Sequence, residues 1–262
     1  MVIPFHKYEA TGNDFIIIYD RMQKVNLSEQ QIAKLCSRRF GIGADGLMLL
    51  RNEQGYDFRM IYYNADGKES SMCGNGGRCM AAYANALSII KKKAIFVAID
   101  GVHEGVIIKN KGAHSYVSLC MKDVENIETG NDYMLLDTGS PHYLMFVKDV
   151  EKTDVVKIGR RIRNSKRFKE KGVNVNFLEM KDNVLHVRTY ERGVEDETLS
   201  CGTGVTAAAL AASIKGIITK ESCDIHTKGG DLKVRFTREI GNFSNIWLEG
   251  DVNFVFNGEI EF

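Results

Sequence analysis

The sequence has almost no net charge: 35 Lys and Arg stand against 34 Asp and Glu in 262 residues, leaving +1 at neutral pH. Bulk electrostatics therefore give no pull toward nucleic acid or an anionic membrane. Long apolar stretches are lacking too. The longest run of apolar or small residues, Gly202 to Ile214, ends at Lys215 and falls short of the roughly 20 residues that cross a bilayer. No basic segment precedes a long apolar stretch near the N-terminus, so a secretory signal is not expected and the cytoplasm is the default location. The six cysteines form no CxxC pair, and no His stands at ligand spacing from Cys73 or Cys201, which argues against a disulfide scaffold, a zinc knuckle or any bound metal. A chain that is 44% apolar and 26% charged is globular rather than disordered or collagen-like, and is long enough for one large core or two modest ones.

What the sequence does contain is a repeat. Cys73-Gly74-Asn75-Gly76 and Cys201-Gly202-Thr203-Gly204 lie 128 positions apart, and each leads into an Ala-rich stretch. Ser37 and Ser165, Arg39-Phe40 and Arg167-Phe168, Tyr62 and Tyr190, Glu69 and Glu197, and Gly101 and Gly229 keep that spacing; Thr11-Gly12 and Thr138-Gly139 are 127 apart. Landmarks in one order at a near-constant interval imply two halves of shared architecture. The first half is expected to cover 1–122 and carry Cys73, with the last strand, about 252–262, able to complete it; the second covers 123–251 and carries Cys201.

Periodicity and punctuation place a first strand near 15–19 and a helix over 29–39 behind an N-cap at Ser28. Strands near 47–50 and 58–63, a helix over roughly 76–88 and strands near 94–99, 103–109 and 115–120 follow; the second half repeats the order, with its Ala-rich helix near 204–214. Strands in runs with few helices indicate an α+β protein of mostly antiparallel sheet, in two similar lobes with a cleft between them. Gly41-Ile42-Gly43-Ala44-Asp45-Gly46 fits GxGxxG, but a helix precedes it and an apolar run follows, the reverse of a dinucleotide site, so it reads as a turn.

Both repeated cysteines fall at helix N-termini, where unpaired N–H groups and the positive dipole end favour a thiolate or a bound carboxylate. The dipole is worth about 0.3–1 kcal/mol and lowers a thiol by roughly one pKa unit at most, so desolvation and substrate must do the rest. Cys36, Cys79, Cys120 and Cys223 read as small core residues. His142 is either a general base or a loop histidine that orients another group, with the second favoured. Glu191 and Arg192, at positions matching Tyr63 and Asn64, suit an ammonium and a carboxylate, the two ends of an amino-acid head group. A thiolate on one face of a carbon and a thiol on the other is the minimum equipment for inverting a stereocentre by proton transfer. A cysteine hydrolase or transferase using His142, and a binding module without activity, remain alternatives.

Gly12-Asn13-Asp14-Phe15, Asn64-Ala65-Asp66-Gly67, Met72-Cys73-Gly74-Asn75-Gly76, Tyr190-Glu191-Arg192-Gly193 and Cys201-Gly202-Thr203-Gly204 together resemble the diaminopimelate epimerase family, cofactor-independent amino-acid racemases and epimerases. The resemblance runs from about residue 5 to the C-terminus. It implies two pseudo-symmetric lobes, each a mostly antiparallel sheet wrapped around a central helix, a homodimer, no cofactor, and interconversion of LL- and meso-diaminopimelate on the route to lysine and peptidoglycan. It also implies Cys73 and Cys201 as catalytic, with Asn13, Asn64, Gly74, Asn75, His142, Asn174, Glu191, Arg192, Gly202 and Thr203 contacting substrate. Three departures stand out: Ser140 where the family commonly has Asn, Gly46 where it often has Gln, and an Arg192-to-Cys201 stretch that is one residue longer than usual. Proline-type racemases lack a distal head group to read, and phenazine-pathway isomerases lack the cysteine pair, so both fit less well.

Overall fold

The structure, a computed structural model, describes residues 2–261. Its elements in chain order begin β1 (Val2–Ala10), β2 (Asn13–Tyr19), α1 (Glu29–Cys36), β3 (Gly46–Arg51), β4 (Phe58–Asn64), β5 (Glu69–Ser70), α2 (Gly74–Ala86), β6 (Lys93–Ala98), β7 (Gly101–Lys111) and β8 (His114–Cys120). They continue β9 (Glu128–Thr129), β10 (Met134–Asp137), β11 (Pro141–Phe146), α3 (Val155–Arg163), β12 (Asn174–Lys181), β13 (Val184–Glu191), β14 (Asp196–Thr198), α4 (Gly202–Ile214), β15 (Ser222–Thr227), β16 (Gly230–Arg238) and β17 (Phe243–Glu261). The chain divides into two compact units, Met1–Leu119 with Gly250–Phe262, and Cys120–Glu249.

In the first unit β1 pairs antiparallel with β17 and with β2, β2 runs parallel to β3, and β3 antiparallel to β4. The ring continues parallel from β4 to β6, then antiparallel through β7 and β8 back to β17, so the eight strands close on themselves and leave no edge. Inside lies α2, packed on β1, β2, β3 and β7 and buried at every position from Gly74 to Ala84. Alanines and glycines let a helix fit within so small a ring.

The second unit repeats the pattern. β10 and β11 pair antiparallel, β11 and β12 parallel, β12 and β13 antiparallel, β13 and β15 parallel, and β15 and β16 antiparallel. The start of β17 bonds to residues 121–124, with Met121 N–H donating to Ile246 O and Val124 bridging Phe243. α4 packs on β10 through β13, β15 and β16. Both lobes are thus mostly antiparallel sheet around a central helix, the α+β class expected.

The repeat reaches atomic detail. α2 and α4 end alike: Ser88 at φ 56° and Gly216 at φ 70° are the left-handed residues after the helices, and Ile89 N–H to Ala84 O matches Ile217 N–H to Ala212 O. The 127-residue spacing of the Thr-Gly pairs has a simple cause. Two residues, Thr11 and Gly12, join β1 to β2, whereas three, Thr138, Gly139 and Ser140, join β10 to β11.

Some bounds differ from expectation. β1 precedes the strand expected to open the chain; Pro4 masks it in the sequence, and is tolerated because it lies outside the His6–Ala10 stretch that pairs with β2. α1 stops at Cys36 rather than residue 39, and both central helices start two residues earlier than read, immediately after their cysteines.

Candidate active site

In the first unit Cys73 is the N-cap of α2, in extended conformation, and makes no side-chain capping bond, so the first-turn N–H groups remain available to a ligand. The half-buried Cys73 Sγ donates to Asn13 Oδ1 at 3.6 Å, and Asn75 Nδ2 donates to the same oxygen at 3.4 Å. Asn13 cannot turn, because its Nδ2 donates to Asp45 Oδ2 at 2.6 Å. Asp45 is held in turn by Arg38, which also makes two bonds to Asp14, and Asp14 pairs with buried Lys7 at 2.7 Å. Burial alone would raise the Asp14 carboxyl; the hydrogen bonds from Arg38 and Lys7 overcome it and bring it down to about 2. Asn64 sits exposed at the end of β4, opposite Gly46 in the ladder.

In the second unit Cys201 caps α4 in the same way, again without a side-chain capping bond, and is 8% exposed. Its Sγ lies 3.5 Å from Thr203 Oγ1, which lies 2.9 Å from His142 Nε2. Asn176 Nδ2 is 3.1 Å from His142 Nδ1, and Asn176 is oriented by Thr189, whose hydroxyl donates to Oδ1 at 2.9 Å. The amide therefore donates to Nδ1, which leaves Nε2 to carry the ring proton and donate it to Thr203. Thr203 then has its own hydrogen free for the sulfur. His142 is 0% exposed, and burial together with the nearby Arg192 charge pushes it down to about 3, so the ring is neutral. It stands on β11, not in a loop. With both nitrogens committed to protein groups, His142 is not placed to act as a base toward Cys201, which weighs against the hydrolase alternative.

The other candidates of this unit form one group. Asn174 on β12 accepts from the Arg192 backbone N–H at 2.9 Å and donates to Ser140 Oγ at 3.1 Å; Arg192 Nη2 donates to that hydroxyl at 3.2 Å and Nη1 to Lys171 O at 2.9 Å. Ser140, the extra turn residue, thus ties Asn174 to Arg192. Glu191, at the end of β13, is half-buried. Gly202, Thr203 and their counterparts Gly74 and Asn75 form the first helical turns after the two cysteines. Among the described residues no group of three or more His, Cys, Asp or Glu side chains is arranged to hold a metal ion.

The profile described as diaminopimelate epimerase matches residues 5–124 and 134–255. The chain belongs to the diaminopimelate epimerase family. A diaminopimelate epimerase of Flavobacterium psychrophilum is 48% identical over 97% of this chain and 99% of its own, and one of Aquifex aeolicus is 36% identical over 98% and 97%. Among solved structures, a phenazine biosynthesis protein of Bacillus anthracis aligns over the whole of both chains with a TM-score of 0.76 at 14% identity. A hydroxyproline epimerase from Agrobacterium vitis covers 99% of this chain and 92% of its own, with a TM-score of 0.71 at 14% identity. These two show the shared fold alone.

In this member of the diaminopimelate epimerase family the departures have structural explanations. A Cβ at Gly46 would lie 2.5 Å from the Tyr62 ring and 2.6 Å from Tyr63 O, so Tyr62 fills the space of a side chain there. In the Arg192-to-Cys201 stretch, Glu195 takes φ 58° at the position equivalent to Gly67 (φ 90°). Its carboxylate accepts from Gly193 N–H, Tyr190 Oη and Arg163 Nε, which offsets the strain. Sequence reading overlooked the Asp45, Arg38, Asp14 and Lys7 network, Asn176 and Arg78. Asp45 lay inside the glycine turn set aside as structural; Arg78 was visible as the lone charge in an Ala-rich helix.

Proposed function

We propose that the chain is a cofactor-independent epimerase that interconverts LL- and meso-diaminopimelate by two-base proton transfer at the α-carbon. One observation carries the reading: two cysteines 128 positions apart each begin an equivalent enclosed helix whose N-terminus is left uncapped by the sulfur. Membership of the family supports it. In this reaction one thiolate takes the α-proton while the other thiol delivers its own from the opposite face, and the roles exchange in reverse. Two thiolates a few ångström apart repel, so the pair carries one proton and titrates as a unit.

The carboxylate next to the reacting carbon is held by first-turn N–H groups of the Gly74-Asn75 and Gly202-Thr203 turns, the donors that stabilise it as charge builds up during deprotonation. Asn13, Asn64, Asn174 and Arg192 read the distal head group, with Glu191 toward an ammonium. His142 serves by fixing Thr203, whose hydroxyl donates to the Cys201 thiolate. The enzyme is a cytoplasmic homodimer on the route to lysine and peptidoglycan. Replacing Cys73 or Cys201 by Ala tests the proposal: each single variant should lose inversion of the LL isomer, and full turnover by either would contradict it.

A further inference from the structure

We propose that Arg78 is a positioning residue whose charge makes Cys73 the more acidic of the two helix-start cysteines, so that the resting pair is biased toward a Cys73 thiolate and a Cys201 thiol. This rests on the reading of those cysteines as the acid and base. Arg78 is 0% exposed, enclosed with α2, and among the described residues it forms no ion pair with a carboxylate. Its Nε has no hydrogen-bond partner. Nη2 donates to Asn75 Oδ1 at 3.0 Å and to Thr11 Oγ1 at 3.5 Å, and Nη1 to Gly74 O at 3.5 Å. The guanidinium is therefore folded back on the first turn, as helical side-chain direction dictates, beside the residues that follow Cys73.

A buried guanidinium without a carboxylate is costly to fold around. Here it stands against the first turn of α2, close enough to Cys73 for the two to interact electrostatically, in surroundings where water screens it poorly. Of the groups its charge acts on, Cys79 and Cys73 of the helix come ahead of Tyr116 of β8 and the Asp251 carboxylate of β17. On the helix itself Cys79 is fully buried and held well above its ordinary value, so it stays a thiol; burial pushes Tyr8 of β1 up to about 12. Glu9 of β1 accepts from Gly12 N–H, while Asp14 of β2 is committed to Lys7 and Arg38 and Asp45 to Arg38 and Asn13. The Cys73 thiol loses its contact to Asn13 Oδ1 on ionising, but a thiol is a weak donor and the contact is long.

The second lobe has no counterpart. The residue 128 positions after Arg78 is Thr206, whose hydroxyl donates to Gly202 O at 2.9 Å. Around Cys201 stand the Thr203 hydroxyl, neutral His142 and Asn176, and the cation of that group, Arg192, is half-exposed and bonded to Lys171 O and Ser140. On ionisation of the empty enzyme the Cys73 proton goes to solvent; in turnover Cys73 takes the proton of the isomer whose α-hydrogen faces it, and the roles exchange for the other isomer.

The test is the pH dependence of iodoacetamide alkylation at each cysteine of the full chain, read by peptide mass spectrometry in the wild type, Arg78→Met and Arg78→Lys. In the wild type Cys73 should react with the lower midpoint. Arg78→Met should raise the Cys73 midpoint by about one pH unit, about tenfold slower at fixed pH, without raising that of Cys201. Arg78→Lys should keep it low. A wild-type Cys201 midpoint equal to or below that of Cys73 overturns the proposal, even if Arg78→Met does not fold; so does a folded Arg78→Met protein with Cys73 unmoved. Alkylation needs no turnover, so a failure of epimerisation with these midpoints intact would sink the activity and leave the charge assignment standing.

Discussion

His142 makes an acid-stability prediction that can be worked through. Its ring is neutral in the folded protein down to about pH 3, against an ordinary value of 6.5 in the unfolded chain, because burial excludes the charged form. Below pH 6.5 the unfolded chain therefore binds a proton that the folded one refuses. Stability is complete above pH 6.5 and falls as pH drops toward 3, at about 1.4 kcal/mol per unit. Between pH 7.5 and 5, before most carboxylates titrate, the loss is about 2 kcal/mol, a substantial part of a typical 5–15 kcal/mol stability. Urea unfolding of the wild type and of His142→Gln at pH 7.5, 6.5, 5.75 and 5 measures it. The variant, whose amide can still donate to Thr203, should show a slope flatter by roughly that amount; His6, also held low by burial, accounts for some residual slope. Equal losses in the two proteins would refute the buried neutral ring.

Other predictions follow from single positions. Ser88→Gly should stabilise the fold by about 0.5–1 kcal/mol by relieving a left-handed serine where the second lobe has Gly216, seen as a melting point higher by about 1–4 °C; no rise would contradict it. Gly204→Ala would place a Cβ 2.6 Å from Asn176 Oδ1 and 3.4 Å from Cys201 Sγ, so it should cost about 1–3 kcal/mol and most of the activity, and an unaffected variant would refute the tight first turn. Asp45→Asn removes the charge that pins Asn13 and should lower kcat about tenfold with the fold intact by circular dichroism; unchanged kcat would remove Asn13 positioning from the account.

The repeat made much of this architecture legible. An interval of 128 residues matched not only the cysteines but also Tyr62 with Tyr190 and Asn64 with Arg192, which lie on, or one residue beyond, the equivalent strands β4 and β13. Local patterns also placed both central helices, because a run of small residues bounded by glycine punctuates strongly. The supporting shell was harder to see. Arg38, in the turn after α1, is 24 positions from Asp14, and Thr189 is 13 from Asn176 across the β12–β13 ladder, so their pairing depends on the folded arrangement rather than local pattern. The role of His142 turned on which nitrogen Asn176 faces, a fact that exists only once β11 and β12 lie side by side. β1 was hidden by Pro4 and by polar residues on a strand bonded on both sides.

The two-base claim is tested most directly by isotope content at low conversion. LL-diaminopimelate incubated with the enzyme in deuterated water should yield meso product carrying one deuterium at the inverted centre, while recovered LL substrate stays unlabelled, because removal and delivery use different sulfurs. Product that retains the original hydrogen, or recovered substrate labelled as fast as product forms, would mean that one group serves both faces.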